Sequence, residues 1–184
     1  RKKNIGIELR VHPCLVPKTR LLANVNGVKN AVVVNSDAAG STLYYGAGAG
    51  SLATASAVVS DIIDISRGLS QKTKYTVPFL GYKDVSSKKN ISKISDIETR
   101  YYLRIKVTNK PGVLADITKI FGKKSISIES ILQKEDSEKD VNVPIVLVTH
   151  KVIEKNIDEA LKEIESLDVV KDRIKRIRIE ELNP

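Results

Sequence analysis

The chain has 184 residues, 41% hydrophobic and 29% charged, which suits one or two packed soluble domains. No apolar run approaches the roughly 18 residues of a membrane span, and no basic n-region leads into an apolar h-region, so neither a membrane anchor nor a secretory signal is read here. The formal charge of +9 is spread as +4 over residues 1–68, +3 over 69–98 and +2 over 99–184, and only 4% of residues are aromatic. Nucleic-acid binders concentrate charge on one face and stack bases on aromatics, so that class is set aside. The single cysteine, Cys14, cannot form an internal disulfide, which fits a reducing cytoplasm. With no reactive-cysteine motif around it, it is expected to be a small packed thiol. There is no methionine and the chain begins with Arg1, so it is expected to be an excerpt or a processed product of a longer protein.

Residues 1–68 are apolar and rich in Gly and Ala. Ile5, Ile7, Leu9 and Val11 alternate along the first expected strand. Residues 31–34 and 42–45 form two further short strands. Gly46-Ala47-Gly48-Ala49-Gly50 comes next, and then a helix over residues 51–67. That helix is apolar on most of its surface, at Leu52, Ala55, Val58, Val59, Ile62, Ile63 and Ile65, and so is expected to be buried. The glycine run succeeds a strand and opens a helix, as a dinucleotide turn does. Yet its spacing is G-x-G-x-G, and no acidic residue ends a second strand about 20 residues on. It reads better as a loop that lets a ligand approach the backbone, one wall of a cofactor pocket.

Residues 69–98 are rich in Lys and Ser and read as a linker, in which Val77-Pro78-Phe79-Leu80 could dock. From residue 99 the pattern sharpens. Tyr101, Leu103, Ile105 and Val107 alternate with Tyr102, Arg104, Lys106 and Thr108, the period of a half-buried strand. Asn109-Lys110-Pro111-Gly112 is a turn, with Asn109 placed to cap a helix and Pro111 suited to its first turn. Val113, Leu114, Ile117, Ile120 and Phe121 keep helical spacing, and Gly122 is expected to end the helix. Ile126, Ile128, Ser130 and Leu132 alternate as a second strand. Residues 135–140 are a charged hairpin loop, and 141–150 a third strand. Ile153, Ile157, Leu161 and Ile164 repeat at helical intervals. Val169, Val170, Ile174, Ile177 and Ile179 suggest a closing strand. The order β-α-β-β-α-β in about 80 residues is the ferredoxin-like arrangement, with two helices on one face of a four-stranded antiparallel sheet. The other face and the edges are open to a second copy.

The stretch Asn109-Lys110-Pro111-Gly112-Val113-Leu114-Ala115, with Ile126-Ser127-Ile128-Glu129-Ser130 after it, resembles the ACT family of amino-acid-sensing domains. The resemblance covers residues 99–184. Gly112 permits close approach to the backbone, helix amino-terminal amides can hold a carboxylate, and Asn109 can donate and accept hydrogen bonds. Asn109, Gly112, Val113, Leu114 and Ile128 are therefore the expected effector contacts. The resemblance implies that effectors bind between paired domains, hence a homo-oligomer.

A second resemblance covers residues 1–68. Val11-His12-Pro13, Leu15-Val16-Pro17, Leu22-Ala23-Asn24-Val25-Asn26-Gly27-Val28, and Tyr45-Gly46-Ala47-Gly48-Ala49-Gly50 with its helix look like the end of the catalytic domain of homoserine dehydrogenase. The resemblance implies NAD(P)-linked interconversion of aspartate semialdehyde and homoserine, with threonine as the expected effector. It implies that Gly48, Ala49 and Gly50 form a wall beside the cofactor, and that the strand of residues 5–11 and His12 belong to a dimerisation sheet. The family's Rossmann domain and its catalytic Asp/Lys pair have no counterpart here, so no catalytic or metal-binding residue is assigned and the chain alone is expected to bind no cofactor. The expected fold is α/β (α+β): a partial dimerisation or substrate-domain sheet with one long helix at 1–68, a linker at 69–98, and an ACT regulatory domain at 99–184. The competing reading is a stand-alone amino-acid sensor in which residues 1–68 only dimerise.

Overall fold

The alternation over residues 101–107 becomes the centre of a sheet. A computed structural model describes residues 2–3, 6–70, 90–133 and 141–182. In chain order it holds β1 (Lys2–Lys3), β2 (Gly6–Ile7), β3 (Cys14–Leu15), a 3-10 turn (Leu21–Asn24), β4 (Lys29–Ser36), β5 (Gly40–Ala47) and α1 (Ser51–Ser70). A second 3-10 turn (Ile94–Asp96) leads into β6 (Glu98–Thr108), α2 (Val113–Lys123), β7 (Ile128–Gln133), β8 (Asn142–Thr149), β9 (Val152–Ile153), α3 (Glu154–Glu165) and β10 (Lys175–Ile179). Ile5, the docking stretch 77–80 and the loop 135–140 lie outside the described residues.

The chain divides into two compact units, Arg1–Val16 with Lys89–Glu181, and Pro17–Lys88 with Leu182–Pro184. This division departs from the expected boundaries at 68 and 98, because residues 6–16 pack with the unit that contains β6 to β10.

In that unit the strands run β10-β6-β8-β7, all antiparallel, as the expected ferredoxin-like order requires. Tyr101, Leu103, Ile105 and Val107 of β6 and Val143, Ile145 and Leu147 of β8 point to one face and are buried. They meet Val113, Ile117, Ile120 and Phe121 of α2 and Ile157, Ala160, Leu161 and Ile164 of α3 in one core. Both helices thus cover the same face, as expected when a 3.6-residue apolar period lies over the sheet's two-residue period.

Several local expectations are corrected. Asn109 does not cap α2; its backbone N–H donates to the Val141 carbonyl at 2.9 Å, tying the turn to the start of β8. Gly112, at φ +90°, takes the position before the helix instead. Gly122 stays inside α2, which runs on to Lys123. The left-handed residue is Ser125 at φ +55°, and the next N–H, of Ile126, returns to the Phe121 carbonyl at 2.9 Å. A bulge between Ile128 and Ser130 breaks the alternation of β7, leaving Ile131 and Leu132 exposed. Val169 and Val170 precede the closing strand, although Val170 still bridges to Val107.

The first expected strand also changes. Only Gly6 and Ile7 of residues 6–11 are extended in pairing, and Leu9 and Val11 face outward while Glu8 and Arg10 face inward. The burial is the reverse of the apolar pattern. Cys14 is exposed rather than packed, because β3 lies on the sheet's outer edge, parallel to β10.

In the other unit, β4 and β5 form a hairpin in full register from Lys29↔Ala47 to Ser36↔Gly40. Gly40, at φ +68°, supplies the left-handed turn residue that a loop of this length demands. Helix α1 forms as expected, but none of its residues is buried, and Leu52 is 86% exposed. Its apolar surface has no cover among the described residues. No helix among those residues is long and apolar enough to cross a membrane.

One buried charge is built into the core's edge. Glu154, the first residue of α3, is 2% exposed. The Tyr101 hydroxyl and the Arg178 guanidinium both donate to its carboxylate, and Arg176 stands 3.5 Å away. Burial pushes the Glu154 carboxyl up, but the bonds from Arg178 and Tyr101 and the two guanidinium charges outweigh it, and the net shift is downward. Burial, and then the Glu154 bond, push the Tyr101 phenol up.

A carboxylate with a lowered folded pKa stabilises the fold above its unfolded value of about 4.3, and that contribution is lost as pH falls through the folded value. Glu154→Gln should therefore cost on the order of 3 kcal/mol at neutral pH, by leaving Arg178 without its counter-charge. It should also flatten the loss of stability below about pH 4, both read by urea denaturation across pH. In the core, Ile117→Ala should cost about 2–5 kcal/mol in the same measurement.

Candidate functional site

The turn between β6 and α2 opens onto a cavity of about 380 Å³. Asn109, Gly112, Val113 and Leu114, four of the five expected effector contacts, line it together. The fifth, Ile128, does not; it packs partly buried against the core at the start of β7. Thr108, Lys110 and Gln133 are lining residues that the sequence did not single out. Gln133 reaches the site because β7 pairs with β8 in the register Gln133↔Ile145. The bulge sets that register, and nothing in the local pattern announces the bulge.

The chemistry derives from the backbone. The first amides of an α-helix have no partner within the helix and carry the positive end of its dipole. At α2 no side chain of the residue before the helix caps them. Gly112 makes the approach possible: a Cβ there would meet no described atom within 4 Å, so the space in front of it is open. A carboxylate therefore has a place at the helix end. The side-chain amides of Asn109 and Gln133 offer carbonyl oxygens to an ammonium group and N–H donors to a carboxylate. Among the described residues none that lines the cavity is acidic, and Lys110 adds a positive charge. Gly112→Ala would force a Cβ into a left-handed backbone. It should lower stability by about 1–2 kcal/mol, read as a reduced thermal midpoint.

The second candidate is the glycine run in the other unit. Its glycines serve different needs. A Cβ at Gly48 would fall on the side-chain amide of Asn30, while the Gly48 N–H donates to the Val28 carbonyl at 3.1 Å. Gly50, at φ +114°, turns the chain into α1, and its carbonyl accepts from the Thr54 N–H at 3.1 Å and the Thr54 hydroxyl at 3.0 Å. No described atom lies within 4 Å of where a Gly50 Cβ would stand. Gly48, Ala49 and Gly50 are all exposed. The run thus presents open backbone that a flat ring could approach, with Gly48 fixed by packing and Gly50 by conformation. Gly50→Ala should destabilise the turn by about 1 kcal/mol through backbone strain, in thermal denaturation.

His12 takes no part in either site; its Nδ1 lies 3.1 Å from the neighbouring Pro13 carbonyl.

Residues 1–63 match the family profile "Homoserine dehydrogenase" and residues 101–169 match the profile "ACT domain". A homoserine dehydrogenase of Pseudomonas aeruginosa is 50% identical over all 184 residues, and one of Neisseria gonorrhoeae is 47% identical over the same length. The chain spans 42% of each of these relatives. The crystal structure of a homoserine dehydrogenase from Thiobacillus denitrificans superposes with a TM-score of 0.88 at 47% identity, covering all of this chain and 41% of the other. A Staphylococcus aureus homoserine dehydrogenase structure at pH 7.0 matches at 22% identity with a TM-score of 0.51, covering 92% of this chain and 37% of the other. That match is a likeness of fold.

Proposed function

We propose that this chain, which corresponds to the carboxyl-terminal region of homoserine dehydrogenases by its residues 1–63 and its ACT domain, is the regulatory end of such an enzyme. The full-length protein would interconvert aspartate semialdehyde and homoserine with NAD(P), on the route to threonine and methionine. Residues 1–68 would complete its catalytic and dimerisation domain, 69–98 would link, and 99–184 would sense an amino acid. Threonine, the end product, is the expected effector.

The observation that carries the sensing role is the cavity at the uncapped amino end of α2, with Gly112 in the left-handed conformation at its rim. Dipole and amides would take the effector's carboxylate, and Asn109 and Gln133 its ammonium and side-chain hydroxyl. Gly48, Ala49 and Gly50 would form a wall beside the cofactor, and the open space at Gly50 fits that role. NAD(P) would accept or supply a hydride when bound; this chain's residues would only exclude water and hold the ring's position. The uncovered apolar surface of α1 fits an element that completes its packing against the rest of the enzyme. Effector sites formed between two ACT domains would make the protein a homo-oligomer.

The test is calorimetry with threonine and a small panel of amino acids. Threonine should bind, and Gly112→Val should abolish binding while sedimentation shows the oligomer intact. No heat from any amino acid, with no shift in melting temperature, would leave the ACT domain a purely structural one. The chain alone should not oxidise homoserine with NADP; turnover at a rate typical of such enzymes would overturn the reading. The alternative, a stand-alone sensor subunit, predicts an open reading frame that starts at or just before Arg1.

A further inference from the structure

We infer that residues 6–15 form a strap docked on the ACT-type module, and that this strap is the route by which the module's state reaches the rest of the enzyme. The inference rests on the regulatory function proposed for the chain. The strap is held at both of its ends, at its entry by the segment that leads into β6 and at its exit by β10. At the entry, the Ile7 N–H donates to the Asn90 carbonyl at 2.8 Å and the Ser92 N–H donates to the Ile7 carbonyl at 2.9 Å. Gly6 passes so close to Asn90 that a Cβ on Gly6 would collide with the Asn90 carbonyl oxygen. At the exit, Cys14 and Leu15 pair in parallel with Arg178 and Ile179, and the Glu180 N–H donates to the Leu15 carbonyl at 2.8 Å.

Between these anchors lies a charged latch. Glu8 is 4% exposed. The Arg10 guanidinium sits 2.6 Å from the Glu8 carboxylate and reaches Glu180 at 3.5 Å. Glu8 and Arg10 both belong to the strap, so their pair offsets the cost of burying Glu8, and the Arg10–Glu180 contact is what ties the strap to the end of β10. The sheet edge at β10 is thereby an interaction surface, and the occupant it fits is this chain's own upstream segment. Residues 1–63 are the homoserine dehydrogenase match and 101–169 the ACT match, so the strap belongs to the first and pairs with β10, the strand after the second that lies against β6. A shift of β10 would move the strap, because they share backbone bonds. Arg10 is a positioning residue in this scheme and does not line the cavity at the turn.

Hydrogen exchange and threonine inhibition, measured together on the full-length enzyme, test this. The amides of Ile7, Ser92 and Glu180 should be protected. Arg10→Ala should reduce that protection about tenfold or more while the amides of β6 stay protected. The same variant should keep its basal kcat and its calorimetric affinity for threonine, yet lose most of its inhibition. Arg10→Lys should retain inhibition, and Gly6→Ala, at the strap's other end, should behave like Arg10→Ala. Unprotected strap amides in the unaltered enzyme, or full inhibition in Arg10→Ala despite lost protection, would overturn the inference. Absence of threonine heat in the unaltered enzyme would instead sink the effector reading and the coupling with it, while the exchange data still decide whether the strap docks.

Discussion

The Glu154 carboxylate ties three elements at one point. It begins α3, receives the Tyr101 hydroxyl from β6, and receives the Arg178 guanidinium from β10. A buried carboxylate without those donors would be costly, so α3 and β10 can settle only where the donors meet it. That fixes β10 beside β6, in the register Arg178↔Tyr101. The outer edge of β10 is set by the same point, because Arg178 is the residue against which Cys14 pairs and Glu180 lies two positions on. Arg100, next to Tyr101, extends the pattern to the far edge by bonding Glu181 and Glu129. A line of paired charges therefore fastens the start of β6 to β7, to α3 and to the chain's exit.

The opposite end of β6 is built differently. There the chain leaves the sheet through Thr108 and Asn109, turns at Gly112, and enters α2 with its first amides uncapped. One end of the central strand is closed by satisfied ion pairs, and the other offers unsatisfied backbone donors to a cavity. This polarity sets a firmly paired end of the strand against one that leaves backbone donors open to a cavity. The two ends of β6 are connected through a stiff, fully buried row of side chains, Tyr101, Leu103, Ile105 and Val107, and β10, which carries the strap's pairing partners, lies beside the first of them.

The sequence was most legible where one periodicity met one environment. The alternation of β6 and the helical spacing of α2 and α3 translate directly into core faces, since each buries one side against one layer. It misled where tertiary contact overrode local preference. Leu9 and Val11 look like core residues and Glu8 and Arg10 like surface ones, yet the ion pair with Glu180 turns the charged side inward. Gly122 looks like a helix end, but Ser125 carries the left-handed residue because Ile126 must be buried. Of the expected effector contacts, Asn109, Gly112, Val113 and Leu114 are adjacent in sequence and so converge by local geometry. Ile128 does not line the cavity at that turn and Gln133 does, because strand register is a long-range property.

The amino-acid order by itself determined the β-α-β-β-α-β succession and the glycine at the turn, since both arise from local periodicity and from the φ that only glycine adopts easily. It also carried the short strands at 31–34 and 42–45 and the apolar helix over 51–67, for the same reason. Only the tertiary structure decided which side of residues 6–15 faces in, where β7 slips, and that the strap joins the sheet at β10. Those outcomes depend on pairings between residues up to 170 positions apart, as between Arg10 and Glu180, and no local pattern carries that information.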